Sequence, residues 1–203
     1  MKHRWVTDRG LWLESGEGTL ALMRVLEDAA FKEVEALVPG DNNLLVVMKP
    51  GLAPGEGLMN ILDHMPFSSG REDSGQTHEI PVAYGGESGP DLQAVAEAAG
   101  ITVRQAIELH AGAEYRVVFL GFQPGFAYLE GTPKDLHAER KATPRLRIPA
   151  GSVALGSGYT GIYPGESPGG WHLIGRTGEW LFDPSRCPPA RFAPGDRVRF
   201  VPK

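Results

Sequence analysis

From Val117 to Pro184 the chain is too apolar for a solvated linker and too often interrupted for helix. The stretch opens VVFLGFQPGFAYL (117–129) and closes WLFDP (180–184), and between Ile148 and Phe182 only Glu166, Arg176 and Glu179 carry a formal charge. Glycine and proline recur every few positions, which excludes long helices. What remains is a set of short strands joined by tight turns, the composition of a small β-barrel with a pocket. On that expectation, aromatic side chains and one guanidinium line the inside of the barrel, and the rest of the chain supports it.

Length allows one large domain or two small ones, since 203 residues can bury a real core either way. A net charge of −5 offers no electrostatic footprint for a polyphosphate backbone, so no nucleic-acid partner is expected. The single cysteine, Cys187, has no internal disulfide partner, and no Cys/His cluster has zinc spacing. Met1 to Asp8 lacks the apolar run of a signal peptide, and nowhere do 18 apolar residues follow one another. The expectation is a cytoplasmic protein without a membrane partner.

Before the apolar stretch the pattern alternates between element types. Gly10 to Glu14 reads as a strand, and Thr19 can cap a helix whose stripe is Leu22, Val25, Leu26 and Ala29. Val34 to Val38 and Leu44 to Met48 read as strands around a turn at Pro39 to Asn42, Glu56 to Met65 as a second helix, and His78 to Tyr84 as a fourth strand. Strand, helix, strand, strand, helix, strand is the order of a ferredoxin-like α+β unit. The polar stretch Ser68 to Gln76 marks the boundary, giving an α+β domain over 1–76 and an all-β barrel domain over 77–203.

Two helices introduce the barrel, one over Pro90 to Ala99 ended by Gly100, the next opened by a Thr102–Gln105 capping box and ending near His110. They cover a side of the barrel or plug an end. Strands then follow at Arg116–Phe122, Gly151–Leu155, Thr160–Tyr163, Trp171–Arg176, Glu179–Phe182 and Arg197–Val201, with a charged insertion over Glu130–Arg147 read as an exposed loop or short helix.

Two motifs fit by letter and fail by chemistry. GSGYTG (156–161) matches a dinucleotide fingerprint, but that device must open a helix under a pyrophosphate, and Pro164 follows at once; a β-turn is the better reading. GESPG (165–169) matches a nucleophile elbow, whose oxyanion hole needs the N–H after the serine; Pro168 has none. The chain also lacks a Gly-Lys pair, hence a Walker A loop. A third constellation survives: Phe122, Phe126, Tyr128, Tyr163 and Trp171 as apolar walls for a substrate, with Arg145, Ser152, Thr160 and Arg176 as polar groups for its chemistry. An arginine in an uncharged run calls for a carboxylate, supplied by Asp183, Glu179 or a ligand. His110 and His172 have no carboxylate or serine partner evident in sequence and read as core or surface residues.

GGESGPDL (85–92), FLGFQPGFAYL (119–129), ATPR (142–145), IPAGSVA (148–154), TGIYP (160–164) and SPGGWHLIGRT (167–177) resemble, in the same order, the 5-oxoprolinase B-subunit family. That family is also known under the name allophanate hydrolase subunit 1 and includes inhibitors of a sporulation histidine kinase. The resemblance spans about residues 79–202. It implies a cyclophilin-like barrel after a small α+β domain, in a protein that is inactive alone. Together with a larger, biotin-dependent-carboxylase-like C-subunit and with the A-subunit of the same enzyme, it would open 5-oxoproline to glutamate with ATP. Arg176 and Arg145 would then neutralise the substrate carboxylate or a developing phosphate, and Ser152, Thr160 and Tyr163 would donate hydrogen bonds to the same group. A regulatory module docking on a histidine kinase, a urea or allophanate pathway component and, from fold alone, a prolyl isomerase are the other readings. Tyr159 stands where the family usually has glutamine, and VVMKP (46–50) where its N-terminal domain usually ends Tyr-Asp-Pro.

Overall fold

Short runs of β-branched and apolar residues, cut by glycine and proline, build thirteen strands and four short helices among the residues described in the computed structural model, 1–64 and 75–203. The chain divides into two units, Met1–Asp73 and Ser74–Lys203. Most of the expected boundary stretch Ser68–Gln76 lies outside the described residues, as does the last residue of the helix expected over Glu56 to Met65.

In the first unit, β1 (His3–Trp5), β2 (Gly10–Glu14), β3 (Val34–Gly40) and β4 (Asn43–Met48) form an antiparallel sheet in the order β1-β2-β4-β3. Helices α1 (Thr19–Ala29) and α2 (Glu56–His64) join Leu11, Leu13, Leu22, Leu26, Leu44, Val46, Leu58 and Leu62 in one core. The period-2 and period-3.6 stripes converge there, which is why these segments hold their types. Thr19 is the first helical residue rather than the cap; its hydroxyl donates to Gly16 O at 2.8 Å. The β3–β4 hairpin turns through Asn42 at φ 57°, a conformation asparagine tolerates.

The ferredoxin-like expectation is corrected here. The segment expected as its fourth strand is β5 (Thr77–Tyr84), which belongs to the barrel of the second unit, while the extra place at the edge of the first sheet is taken by β1, folded back on β2 as a hairpin. Element order alone does not say which sheet a strand joins. Ile80 and Val82, fully buried, commit β5 to the barrel, and six residues of parallel register with the last strand hold it. The chain is therefore mostly β.

The second unit continues with α3 (Leu92–Ala98), α4 (Val103–Gly112), β6 (Tyr115–Leu120), β7 (Ala127–Glu130), β8 (Arg145–Ile148), β9 (Ser152–Gly156), β10 (Tyr159–Ile162), β11 (Ser167–Gly169), β12 (His172–Arg176) and β13 (Arg197–Pro202). Seven of its strands close a barrel in the order β10-β7-β6-β13-β5-β12-β9, and β8 and β11 form a separate two-stranded ribbon. All barrel pairs are antiparallel except β5 with β13. The capping box forms as read: Thr102 Oγ1 accepts from Gln105 N–H and Gln105 Oε1 accepts from Thr102 N–H. Leu92, Val95, Ala96 and Ala106 carry α3 and α4 into the barrel's core. The expected strand over Glu179–Phe182 is absent; only Phe182 bridges, to Ala190. The charged insertion contains a 3-10 turn, Lys134–Leu136, and all but the last residue of β8. Among the described residues no helix is long and apolar enough to cross a membrane.

Candidate functional site

The barrel wall is apolar on both faces, and the two faces are distinct clusters. Val153, Leu155, Ile162, Ile174, Ala127 and Leu129 pack inward with Tyr115, Val198 and Phe200. Their immediate neighbours Ala154, Tyr163, Leu173 and Phe126 pack with Ile148 and Trp171 in a second cluster, with Tyr128 and Tyr159 against it. Because successive side chains of a strand point to opposite faces, this second cluster lies on the outside of the barrel. The expectation of an internal, ring-lined pocket is thereby corrected: the interior is filled by its own aliphatic and aromatic core, and the rings form an outer wall.

That wall is built edge to face. Phe126 meets Tyr163 at 5.2 Å, Tyr128 at 5.2 Å and Trp171 at 5.5 Å between ring centres, all near perpendicular. Each such pair adds about 0.5–1.5 kcal/mol beyond the area it buries. Gly161 makes this close approach possible, since a Cβ there would stand 2.7 Å from Phe126 Cζ and 2.9 Å from Trp171 Cζ3. Phe122 extends the wall outward, 60% exposed at φ 68°, with its ring edge-on to Phe126 and Tyr163. An exposed phenylalanine held in the left-handed region is costly for the fold alone.

The ribbon of β8 and β11 packs on this wall. Gly169, opposite Arg145 in the register, leaves room for the Tyr163 hydroxyl, which a Cβ would meet. Arg145 Nη2 donates to Asp91 Oδ1 at 2.8 Å, Lys141 Nζ to the same oxygen at 3.1 Å, and Leu173 N–H to Asp91 Oδ2 at 2.7 Å. Burial alone would raise the Asp91 pKa; the hydrogen bonds from Arg145, Leu173 and Lys141 together outweigh it and hold the carboxyl below its ordinary value. Tyr163 is pushed up to about 12, chiefly by burial and further by Tyr128, with Arg140, the Trp171 N–H and Arg145 acting in the opposite sense. Around the same wall Arg145 Nη1, Ser167 Oγ and Gln123 Nε2 are buried with no hydrogen-bond partner among the described residues. Each such group costs about 1–3 kcal/mol.

The polar residues of the sequence reading separate. Arg145 stands beside Tyr163. Arg176, expected inside, is exposed, its Nε donating to Ala150 O at 3.0 Å; it pairs in register with Ser152, whose hydroxyl donates to Pro149 O at 2.8 Å. Neither carboxylate considered for Arg176 is engaged by it: Asp183 pairs with Arg186 and Glu179 with Arg191. A bulge between Leu173 and Gly175 reverses the alternation in β12, so Arg176, opposite Ser152, shares the outer face with Ala154 and Leu173. Thr160 alone faces the interior, 2.9 Å from Thr132 Oγ1 and 3.5 Å from His110 Nε2. His110 is a core residue, its Nδ1 2.7 Å from the Tyr84 hydroxyl. GSGYTG is the β9–β10 turn, through Ser157 at φ 53° and Gly158 at φ 81°. Sequence reasoning missed Asp91, Lys141 and Gln123; Asp91 lies within GGESGPDL, whose place among the family motifs is the signal that could have found it.

Known proteins match this chain along most of its length. The family described as "Carboxyltransferase domain, subdomain C and D" matches residues 6–192. A protein of Escherichia coli O157:H7, named as the B-subunit of 5-oxoprolinase, is 48% identical over 171 residues, 84% of this chain and 78% of its own. The crystal structure of TTHA0988 superposes with a TM-score of 0.80 at 36% identity over 96% of this chain, which spans only 40% of that one. The urea amidolyase of K. lactis superposes with a TM-score of 0.71 at 18% identity, covering 99% of this chain and 15% of its own, a likeness of fold alone.

Proposed function

The chain belongs to the 5-oxoprolinase B-subunit family, and from that premise we propose that it is one part of a multi-subunit 5-oxoprolinase, opening 5-oxoproline to glutamate at the expense of ATP. In this reading it works with a larger C-subunit and with an A-subunit, and it is inactive alone. The observation that supports it most is Phe122, 60% exposed and held in the left-handed region at the rim of the outer aromatic cluster, with the partly exposed cations Arg145 and Lys141 by the same cluster: a half-open surface suits a protein whose partner supplies the other half.

Hydrolysis of an unstrained five-membered lactam is uphill near neutral pH and has to be coupled to ATP: phosphorylation of the amide oxygen makes the ring carbon electrophilic, water adds there, the C–N bond breaks with the nitrogen leaving as the amine, and hydrolysis of the acyl phosphate releases phosphate. Substrate binding then requires a cation for the carboxylate and a flat apolar surface for the ring. Arg145 supplies the first; the exposed Phe122 and the partly exposed Tyr128 supply the second, held in place by the buried Phe126, Tyr163 and Trp171 behind them. Arg176, exposed on the same outer face beside Ser152, takes the charge developing on the phosphoryl group. Thr160 acts from inside the barrel as support for the wall strand β10, not as a donor to substrate.

The test is reconstitution. Co-expressed with the candidate partner subunits, the chain co-purifies with them and the complex releases glutamate and phosphate from 5-oxoproline only when ATP is present. A complex that assembles and hydrolyses no 5-oxoproline sinks the reading.

A further inference from the structure

Asp91 is the most heavily bonded carboxylate of the outer wall, and its bonds are lopsided. Its backbone N–H donates to Leu173 O at 2.9 Å and its Oδ2 accepts from Leu173 N–H, so residue and strand β12 are tied at two points. The other oxygen, Oδ1, holds both Arg145 and Lys141. One carboxylate against two cations leaves a unit of positive charge uncompensated within the cluster. The carboxylate lies beneath at 7% side-chain exposure while each cation keeps 29%, so an anion approaching from outside meets the cations first. Arg145 Nη1 is buried and without an acceptor, and Lys141 Nζ spends one of its three donors on Asp91.

We propose that Asp91 is the positioning residue of a carboxylate subsite made by Arg145 and Lys141 beside the Tyr163 ring. Both cations are fixed at one end by Asp91 Oδ1, which leaves Lys141 Nζ two further donors for a carboxylate arriving from the exposed side. For the ligand's identity, the carboxylate of a five-membered lactam, the inference rests on the functional reading above.

Two measurements test it. In the assembled complex, Lys141→Met and Asp91→Asn each raise the KM for 5-oxoproline roughly tenfold, the loss of about one charge-assisted bond, with kcat within about twofold and the KM for ATP unmoved. Asp91→Asn also lowers thermal stability through its bonds to Leu173; Lys141→Met, which loses a single partly exposed contact, keeps its melting temperature and separates binding from folding. In the full chain alone, the Trp171 indole resonance shifts with 5-oxoproline, while 2-pyrrolidinone, the same ring without the carboxylate, and inorganic phosphate both bind at least about tenfold more weakly. An unmoved KM in Lys141→Met, or equal binding of 2-pyrrolidinone, or tighter binding of phosphate overturns the subsite. Turnover with an unmoved KM would leave the functional reading standing without the subsite. Carboxylate-selective binding with no turnover in a complete complex would do the reverse.

Discussion

His110 lets the packing of the barrel be read through pH. It closes the last turn of α4 inside the core, 1% exposed, with its ring 4.6 Å from that of Phe200 and 5.2 Å from that of Tyr115. Burial pushes its pKa down to about 3. In the unfolded chain the same imidazole takes up a proton near pH 6.5, so the folded state binds fewer protons everywhere between those values. Stability is then complete above pH 6.5 and falls as pH drops, by about 1.36 kcal/mol per unit, or about 2 kcal/mol by pH 5.0. Ordinary carboxylates titrate below this window. Urea unfolding at pH 7.5, 6.5, 5.5 and 5.0, followed by the fluorescence of Trp171 and Trp180 in a chain carrying Trp5→Phe and Trp12→Phe, gives the slope. His110→Asn, whose amide takes the place of the Nδ1 that meets the Tyr84 hydroxyl but does not titrate, lowers stability at pH 7.5 and removes this part of the slope. The remaining histidines contribute equally to both proteins. Parallel slopes for the two would refute a neutral, sealed His110.

Gly161→Ala drives a methyl against Phe126 and Trp171, both buried, and destabilises the barrel by about 1–3 kcal/mol. Gly112→Ala, at the end of α4 with nothing within 4 Å of its Cβ position, changes stability by less than about 1 kcal/mol, and toward stabilisation; paired thermal melts decide both. In the assembled complex Arg176→Met lowers kcat about tenfold or more and leaves the KM for 5-oxoproline in place, opposite to Lys141→Met. A matched rise in KM would assign Arg176 to the carboxylate instead.

Local features were legible because they are decided within a few residues. Thr102 and Gln105 make their capping box whatever surrounds them, and the turn at Ser157 and Gly158 follows from the glycines and from Pro164. The six motifs from GGESGPDL to SPGGWHLIGRT pointed to the family. Two other matters depended on long-range contacts. Strand β5 looks the same in either sheet until Ile80 and Val82 find the barrel. A wall that is apolar on both faces gives no alternation to tell inside from outside, so Ile162 and Tyr163, adjacent in sequence, could not be assigned to opposite faces. Arg176 looked buried for the same reason, since a lone charge in an apolar run can sit at the exposed end of a strand. The role of Asp91, though the residue lies in the motif GGESGPDL, was not legible locally because its partners Lys141, Arg145 and Leu173 come 50, 54 and 82 residues later.

The most direct measurement is a crystal structure of the reconstituted complex with 5-oxoproline bound. The expected density puts the lactam against the exposed Phe122 ring with its carboxylate within about 3 Å of Arg145 and Lys141. Substrate found inside the barrel beside Thr160 and His110, or held by the partner subunits without touching this wall, would contradict it.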